Sequence, residues 1–299
     1  PVLANVLGRI IVPLYQLIGA DPAMFGSILA IDMGGYQLAE ELAIDSRVGS
    51  YAGIVVSAIF GCTLVFTIPV GMGMIPTEDR PYFAKGIMLG LAAMPAGLLV
   101  GGIMAGLSLP ECLIQNLPVF AAALLLLLGL WKIPDRMVRG FCILAGGIRI
   151  LITVGLMLAA VEFLCGFRLL PGMAPLEDAM AVVASIGIVM LGSLPMAELF
   201  RRLLTKPFTR LGGKLDISPQ CLTGMLIGLV SALPALAEYH NLDQKGKIAL
   251  SAFLVSGASL LAAHMGFTLA TEPELLSALV CGKLSGAAAA VILTAFLIK

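Results

Sequence analysis

Six long stretches of the chain contain no Asp, Glu, Lys or Arg: 48–77, 86–110, 112–131, 179–197, 217–237 and 248–271. Charged residues make up only 12% of the 299, and the mean hydropathy is +1.04. Both values lie outside the range of a soluble domain. The net charge is zero and no basic tract stands apart from the loops flanking the apolar runs. That excludes the electrostatic footprint of a nucleic-acid partner. The six cysteines, Cys62, Cys112, Cys142, Cys165, Cys221 and Cys281, form no CxxC pair, and five of them lie in apolar runs. They read as small buried hydrophobes, so no metal, disulfide or cofactor is expected.

What is present is long apolar sequence. A membrane-spanning helix needs ~20 mostly apolar residues, and in hydrocarbon only helices or closed barrels satisfy every backbone polar group. These windows are too long and too continuous for barrel strands, which alternate. The fold class is therefore an all-α polytopic membrane protein in contact with the lipid bilayer, forming one transmembrane domain over 1–299. Ten segments are expected, at 1–20, 22–44, 48–76, 83–108, 112–131, 140–166, 179–200, 217–240, 247–270 and 275–298. Their joints carry turn residues: "IPTEDRP" at 75–81, "IPDR" at 133–136, "LLPGMAPLED" at 169–178 and "TEPE" at 271–274.

An internal repeat is expected. "LAEELAIDSR" at 38–47 aligns with "LAEYHNLDQK" at 236–245, and Pro1, Pro13, Gly19, Pro81 and Gly90 align with Pro195, Pro207, Gly213, Pro273 and Gly282. Charge and proline positions agree, which shared apolar composition does not supply. The halves are 1–108 and 112–299. Residues 112–194 then lack a counterpart, so two or three helices are expected before Pro1, and self-association is expected through the apolar face they would cover.

Secondary transporters are commonly built from such repeats, with substrate bound near the midplane at broken helices. Gly34 and Gly35 weaken a helix in the middle of 22–44. Ser231 and Pro234 stand at the matching depth of 217–240, where proline removes a backbone donor. If both broken segments are re-entrant, the loops at 78–85, 132–139, 201–214 and 243–247, with Lys299, share one face and hold thirteen of the eighteen Lys and Arg. Arg9, Arg47 and Arg168 are left on the other. This asymmetry matches the positive-inside rule and favours inverted repeats.

The stretches "PVLANVLGRIIVPLYQLIGADPAMF" and "DMGGYQLAEELA", then "RGF" at 139–141, "LLPG" at 169–172, "LGSLPM" at 191–196, "HMGF" at 264–267 and "GKL" at 282–284, resemble the EutH family of ethanolamine-utilisation membrane proteins. The resemblance runs in order over essentially the whole chain. It implies a multi-pass protein of the bacterial inner membrane that carries ethanolamine into the cell, and it implies further N-terminal membrane segments. The family pattern has two Asn before the proline equivalent to Pro234 and an Asp before the histidine. Here Ser231 and Ala232, and Ala263, occupy those places. Both changes remove polar groups, which extends the expected substrates to related small amines.

Ethanolamine is a protonated amine with a hydroxyl, so its site needs an anion or carbonyl cluster and a hydrogen-bond partner. Asp32 suits the first role, since a carboxylate at membrane depth usually faces a cavity or partner. The alternative is that Asp32 caps the half-helix starting near Tyr36. Gly34 and Gly35 let backbone approach a ligand, and Tyr36 and Gln37 could hold the hydroxyl. Glu41, Ser231, Pro234, His264 and Lys283 complete the candidate substrate-binding residues, with packing, capping or snorkelling as the alternative for each. Glu162, Glu198 and Arg149 read as structural. No nucleophile with a base and no carboxylate pair forms a catalytic group, so an enzyme is not expected; an ion channel or a non-transporting membrane scaffold is the alternative to a transporter.

Overall fold

The computed structural model describes residues 2–29, 35–166 and 217–298, with isolated positions between 180 and 206, and its regular structure is helical throughout these residues. In chain order the helices are α1 (Val2–Leu17), α2 (Ala23–Leu29), α3 (Gly35–Leu42), α4 (Ser46–Met74), α5 (Arg80–Met104), α6 (Leu109–Gln115), α7 (Leu117–Lys132) and α8 (Pro134–Cys165). After residues outside the description come α9 (Pro219–Val230), α10 (Ala232–Ala237), α11 (Gln244–Thr271) and α12 (Pro273–Leu297). Among the described residues α4, α5, α11 and α12 are long and apolar enough to cross a membrane; α6 and α7, bent by 52° at Asn116, make a fifth if counted as one span. Most of the segment expected at 179–200 lies outside the described residues.

Glycines set how closely the spans approach. A Cβ on Gly97 would stand 2.6 Å from the Gly282 carbonyl, and one on Gly101 would stand 3.3 Å from the Ala278 carbonyl. As α5 advances from 97 to 101, its partner α12 runs backward from 286 to 278, so the two are antiparallel. Gly86 meets Ile248 and Ser251, and Gly90 meets Ala252 and Val255, so α5 and the first part of α11 run parallel. Small residues at these crossings bring backbone to backbone, which is how membrane helices gain dispersion contact without a hydrophobic drive between them. The turn at 75–79 folds α4 back against α5. Thus α4 opposes α11, and α5 opposes α12.

Two short helix pairs flank this bundle, and each is closed at its base. Asp21 is buried, and its carboxylate accepts from the backbone N–H of Ala23 at 2.9 Å, of Ile44 at 3.0 Å and of Asp45 at 2.9 Å. One side chain therefore caps the start of α2 and grips the far end of α3. Between them a Cβ on Gly26 would meet the Ala39 nitrogen at 2.7 Å, so α2 and α3 lie back to back. In the other half Ser218 accepts from Cys221 N–H and donates to Asp243 at 2.8 Å. That bond joins the start of α9 to the cap of α11.

The two bases lie at opposite ends of the bundle. The Asp21 base sits by Gln115, whose Oε1 accepts from Asp21 N–H at 2.6 Å, at the same end as Arg47 and Glu111, 3.6 Å apart. The Ser218 base sits at the start of α11, where Lys247 donates to Asp79 at 2.6 Å across from the α4–α5 turn. Ends are capped as chemistry requires: Ser108 and Glu111 form a reciprocal capping box for α6, and Gly166 closes α8 at φ +67°.

Candidate functional site

The span expected at 247–270 is not one continuous helix. After Gly257 the backbone leaves helical geometry, and Ser259 takes a left-handed conformation at φ 57°, ψ 20°. For a residue with a Cβ that costs about 1–2 kcal/mol. The break is held by a contact from the second hairpin, because Ser259 N–H donates to the Gly228 carbonyl at 2.8 Å. Gly228 is in the last turn of α9, whose final carbonyls have no helical partner. Next to it Ser231 is extended (φ −155°, ψ 134°), separating α9 from α10. Pro234 falls in the first turn of α10, where its ring is tolerated, and it has no N–H to give the Val230 carbonyl. This leaves the negative end of a half-helix facing inward.

Beyond the break, Leu260–His264 winds as a π-helix before α-geometry resumes. His264 is fully buried, and its carbonyl accepts from the Thr268 hydroxyl at 2.9 Å. The opposing span α4 is π-helical over Ala52–Gly61 and again over Thr63–Thr67, a rare geometry associated with functional sites. Lys283 of α12 is fully buried and donates from Nζ to the Ala58 carbonyl, inside the first π stretch, at 2.7 Å. Thr63 donates to the Val255 carbonyl at 2.8 Å, joining the two opposed spans. Ser57, Thr63, Thr67, Ser256, His264, Thr268 and Lys283 are all 1% exposed or less, a polar seam beside other buried polar side chains such as Asn116 and Ser251. Among the described residues the hydroxyls of Thr67 and Ser256 have no hydrogen-bond partner.

Asp32 and Gly34 lie outside the described residues. Gly35 is buried at the start of α3, and Tyr36 beside it leans on α4, where a Cβ on Gly53 would meet its ring at 2.7 Å. The structure brings Tyr36 and Lys283 to the first π stretch of α4 and Ser231 to the end of α9 that meets the α11 break, with His264 in the π-helical turn beyond it; Pro234 is exposed. Gln37 and Glu41 are exposed on the outer face of α3 and do not join either group. Among the described residues no three His, Cys, Asp or Glu side chains converge as a metal site would need. Sequence reasoning missed two residues. Ser259 breaks its helix through a tertiary contact, and the only local signal was Gly257 just before it. Glu272, within the turn "TEPE", accepts the Tyr36 hydroxyl at 2.7 Å.

Residues 1–297 match the family model described as "Ethanolamine utilisation protein, EutH". A protein of Listeria monocytogenes named "Probable ethanolamine permease EutH" is 39% identical over 293 residues, covering 97% of this chain and 78% of the relative. One of Salmonella typhimurium with the same name is 37% identical over 316 residues, with the same coverage. The "Uncharacterized protein YxeR" of Bacillus subtilis is 37% identical over 287 residues, covering 96% of this chain and 78% of the relative. No solved structure matches. With nearly its whole length aligned to the family and its described residues folded into apolar helices around a buried polar seam, the chain is a helical membrane protein that belongs to the EutH ethanolamine-utilisation family.

Proposed function

We propose that this chain carries ethanolamine, or a closely related small protonated amine, across the bacterial inner membrane, within a pair of inverted repeats whose broken segments 22–44 and 217–240 turn back without crossing. The observation that carries this reading is the pair of closed hairpin bases. Asp21 ties residue 23 to residues 44 and 45, and Ser218 ties residue 221 to Asp243, at opposite ends of the bundle. The antiparallel run of α4 against α11 and of α5 against α12 supports the inversion. The names of the relatives support the substrate.

In this reading Asp32, with Gly34 and Gly35 beside it, binds the ammonium at the tip of the first hairpin. The inward carbonyl end of α9 at Ser231 and Pro234 faces the same seam from the other side, with His264 and Lys283 along it. The seam already holds one amine on a backbone carbonyl, that of Lys283 on Ala58. Basic loops at the Ser218 end set that end toward the cytoplasm.

The test is uptake of labelled ethanolamine into vesicles holding the purified protein. Uptake above empty vesicles, competed by unlabelled small amines, is the expected result; a rate equal to that of empty vesicles would refute the proposal. Asp32→Asn keeps the size and capping ability of the side chain, so it should fold normally yet bind about ten- to a hundredfold more weakly, the loss of one charge-assisted hydrogen bond. An affinity within about twofold of the parent would make Asp32 a cap.

A further inference from the structure

We propose that Glu272 is the first ammonium ligand of the amine, at the mouth of the first hairpin, and that the Tyr36 hydroxyl holds its place when no substrate is there. The inference rests on the transport reading. Glu272 follows the last helical residue of α11 and leaves the helix at φ −137°, ψ 70°, with Pro273 next. Turn residues at a span end usually face water. Glu272 instead accepts the hydroxyl of a residue 236 positions away, at 2.7 Å, in the opposite half of the chain.

The tyrosine cannot back out of this contact through its own backbone. Its Cα and ring lie against Gly53, where a Cβ would come within 2.9 and 2.7 Å. Its ring meets Phe267 edge-on, with centroids 5.7 Å apart and planes at 76°. One turn along α3, the Glu40 carboxylate accepts from Ser50 at 3.0 Å. The Tyr36 side chain thus reaches the Glu272 carboxylate and the Phe267 ring, with the Glu40 carboxylate one turn further along its own helix. They sit at the end of the bundle opposite the Lys247 and Asp79 contact. At their own end, Arg47 is engaged by Asp45 at 2.8 Å and by Glu111 at 3.6 Å.

This set has the chemistry of an ammonium site. A carboxylate gives charge-assisted hydrogen bonds, and ring faces attract a desolvated cation. The phenol competes for the same oxygen that an ammonium would take. An arriving amine breaks the bond that ties α3 to the end of α11, so binding at the mouth loosens the hairpin it must pass.

The experiment measures ethanolamine uptake against concentration for the parent, Glu272→Gln and Tyr36→Phe. Glu272→Gln should raise the half-saturating concentration about tenfold or more, from the lost charge-assisted bond, while Tyr36→Phe removes the competitor and should lower it. A structural tie predicts instead that the two variants change together, and that outcome would overturn the proposal, as would a Glu272→Gln curve that superimposes on the parent's. Should Glu272→Gln fail to fold, Tyr36→Phe decides alone, because a half-saturating concentration that is raised or unchanged there contradicts a competing phenol. Parent vesicles that take up nothing overturn the transport reading itself.

Discussion

Replacing Lys247 by Met, or Asp79 by Asn, tests whether the contact between the α4–α5 turn and the start of α11 holds the bundle together. The two groups stand 2.6 Å apart with side chains only 12% and 8% exposed. At an effective dielectric constant of 20 the gross attraction is about 6 kcal/mol, most of it offset by the loss of hydration. Removing one partner leaves a charge in a site built to shield it, which costs about 3–5 kcal/mol. Removing both leaves no stranded charge, so Asp79→Asn with Lys247→Met should be far less destabilised than the two single losses combined. The surroundings favour a full effect, because Tyr239 donates to the Lys247 carbonyl at 2.9 Å and its ring meets Phe83 edge-on. The assay is a double-mutant cycle on unfolding free energies, titrated with denaturant in mixed micelles. Losses that add to within about 0.5 kcal/mol would show that the two groups are uncoupled and would refute the reasoning.

Gly97→Val places its Cβ 2.6 Å from the Gly282 carbonyl oxygen and should lower stability by about 1–3 kcal/mol. Gly73→Ala, with nothing within 4 Å of the added atom, should stay within about 0.5 kcal/mol of the parent; thermal unfolding in one detergent compares them. Asp45 has its carboxyl held below the ordinary range, first by the hydrogen bond from the Arg47 side chain. A lowered folded-state value means stability that is present above the ordinary carboxylate range and lost as pH falls through the folded one. The melting temperature should therefore drop on acidification, and Asp45→Asn, which still caps α4, should remove part of that drop; an identical pH profile would count against it.

The spans were legible because hydrocarbon excludes charge: 48–76, 83–108 and 275–298 fall within a few residues of α4, α5 and α12. The interruptions of 22–44 and 217–240 were legible for a local reason, the glycines at 34 and 35 and the proline at 234. Local sequence could not announce what is made by partners far along the chain. Ser259 is bent by the Gly228 carbonyl, and Glu272 looked like turn punctuation because the tyrosine that captures it lies in the other half. The π-helical windings of α4 likewise carry no residue signature, since Ala52–Gly61 reads as ordinary apolar helix. Of the candidate residues, Gly35 and Ser231 stand at helix ends that glycine and proline chemistry marks in the sequence, whereas exposure of Gln37 and Glu41 on α3 is set by the helix's packing.

The two stapled bases have a kinetic consequence. In the re-entrant reading proposed above, a segment pinned at its root would swing at its tip, and roots at opposite ends would make each hairpin a flap toward its own compartment while α4, α5, α11 and α12 stay still. If the flaps open independently and each is open about 1% of the time, a typical minor-state population, both stand open together about once in ten thousand. Protons and metabolites then find a continuous path that rarely, even though neither flap has to sense the other.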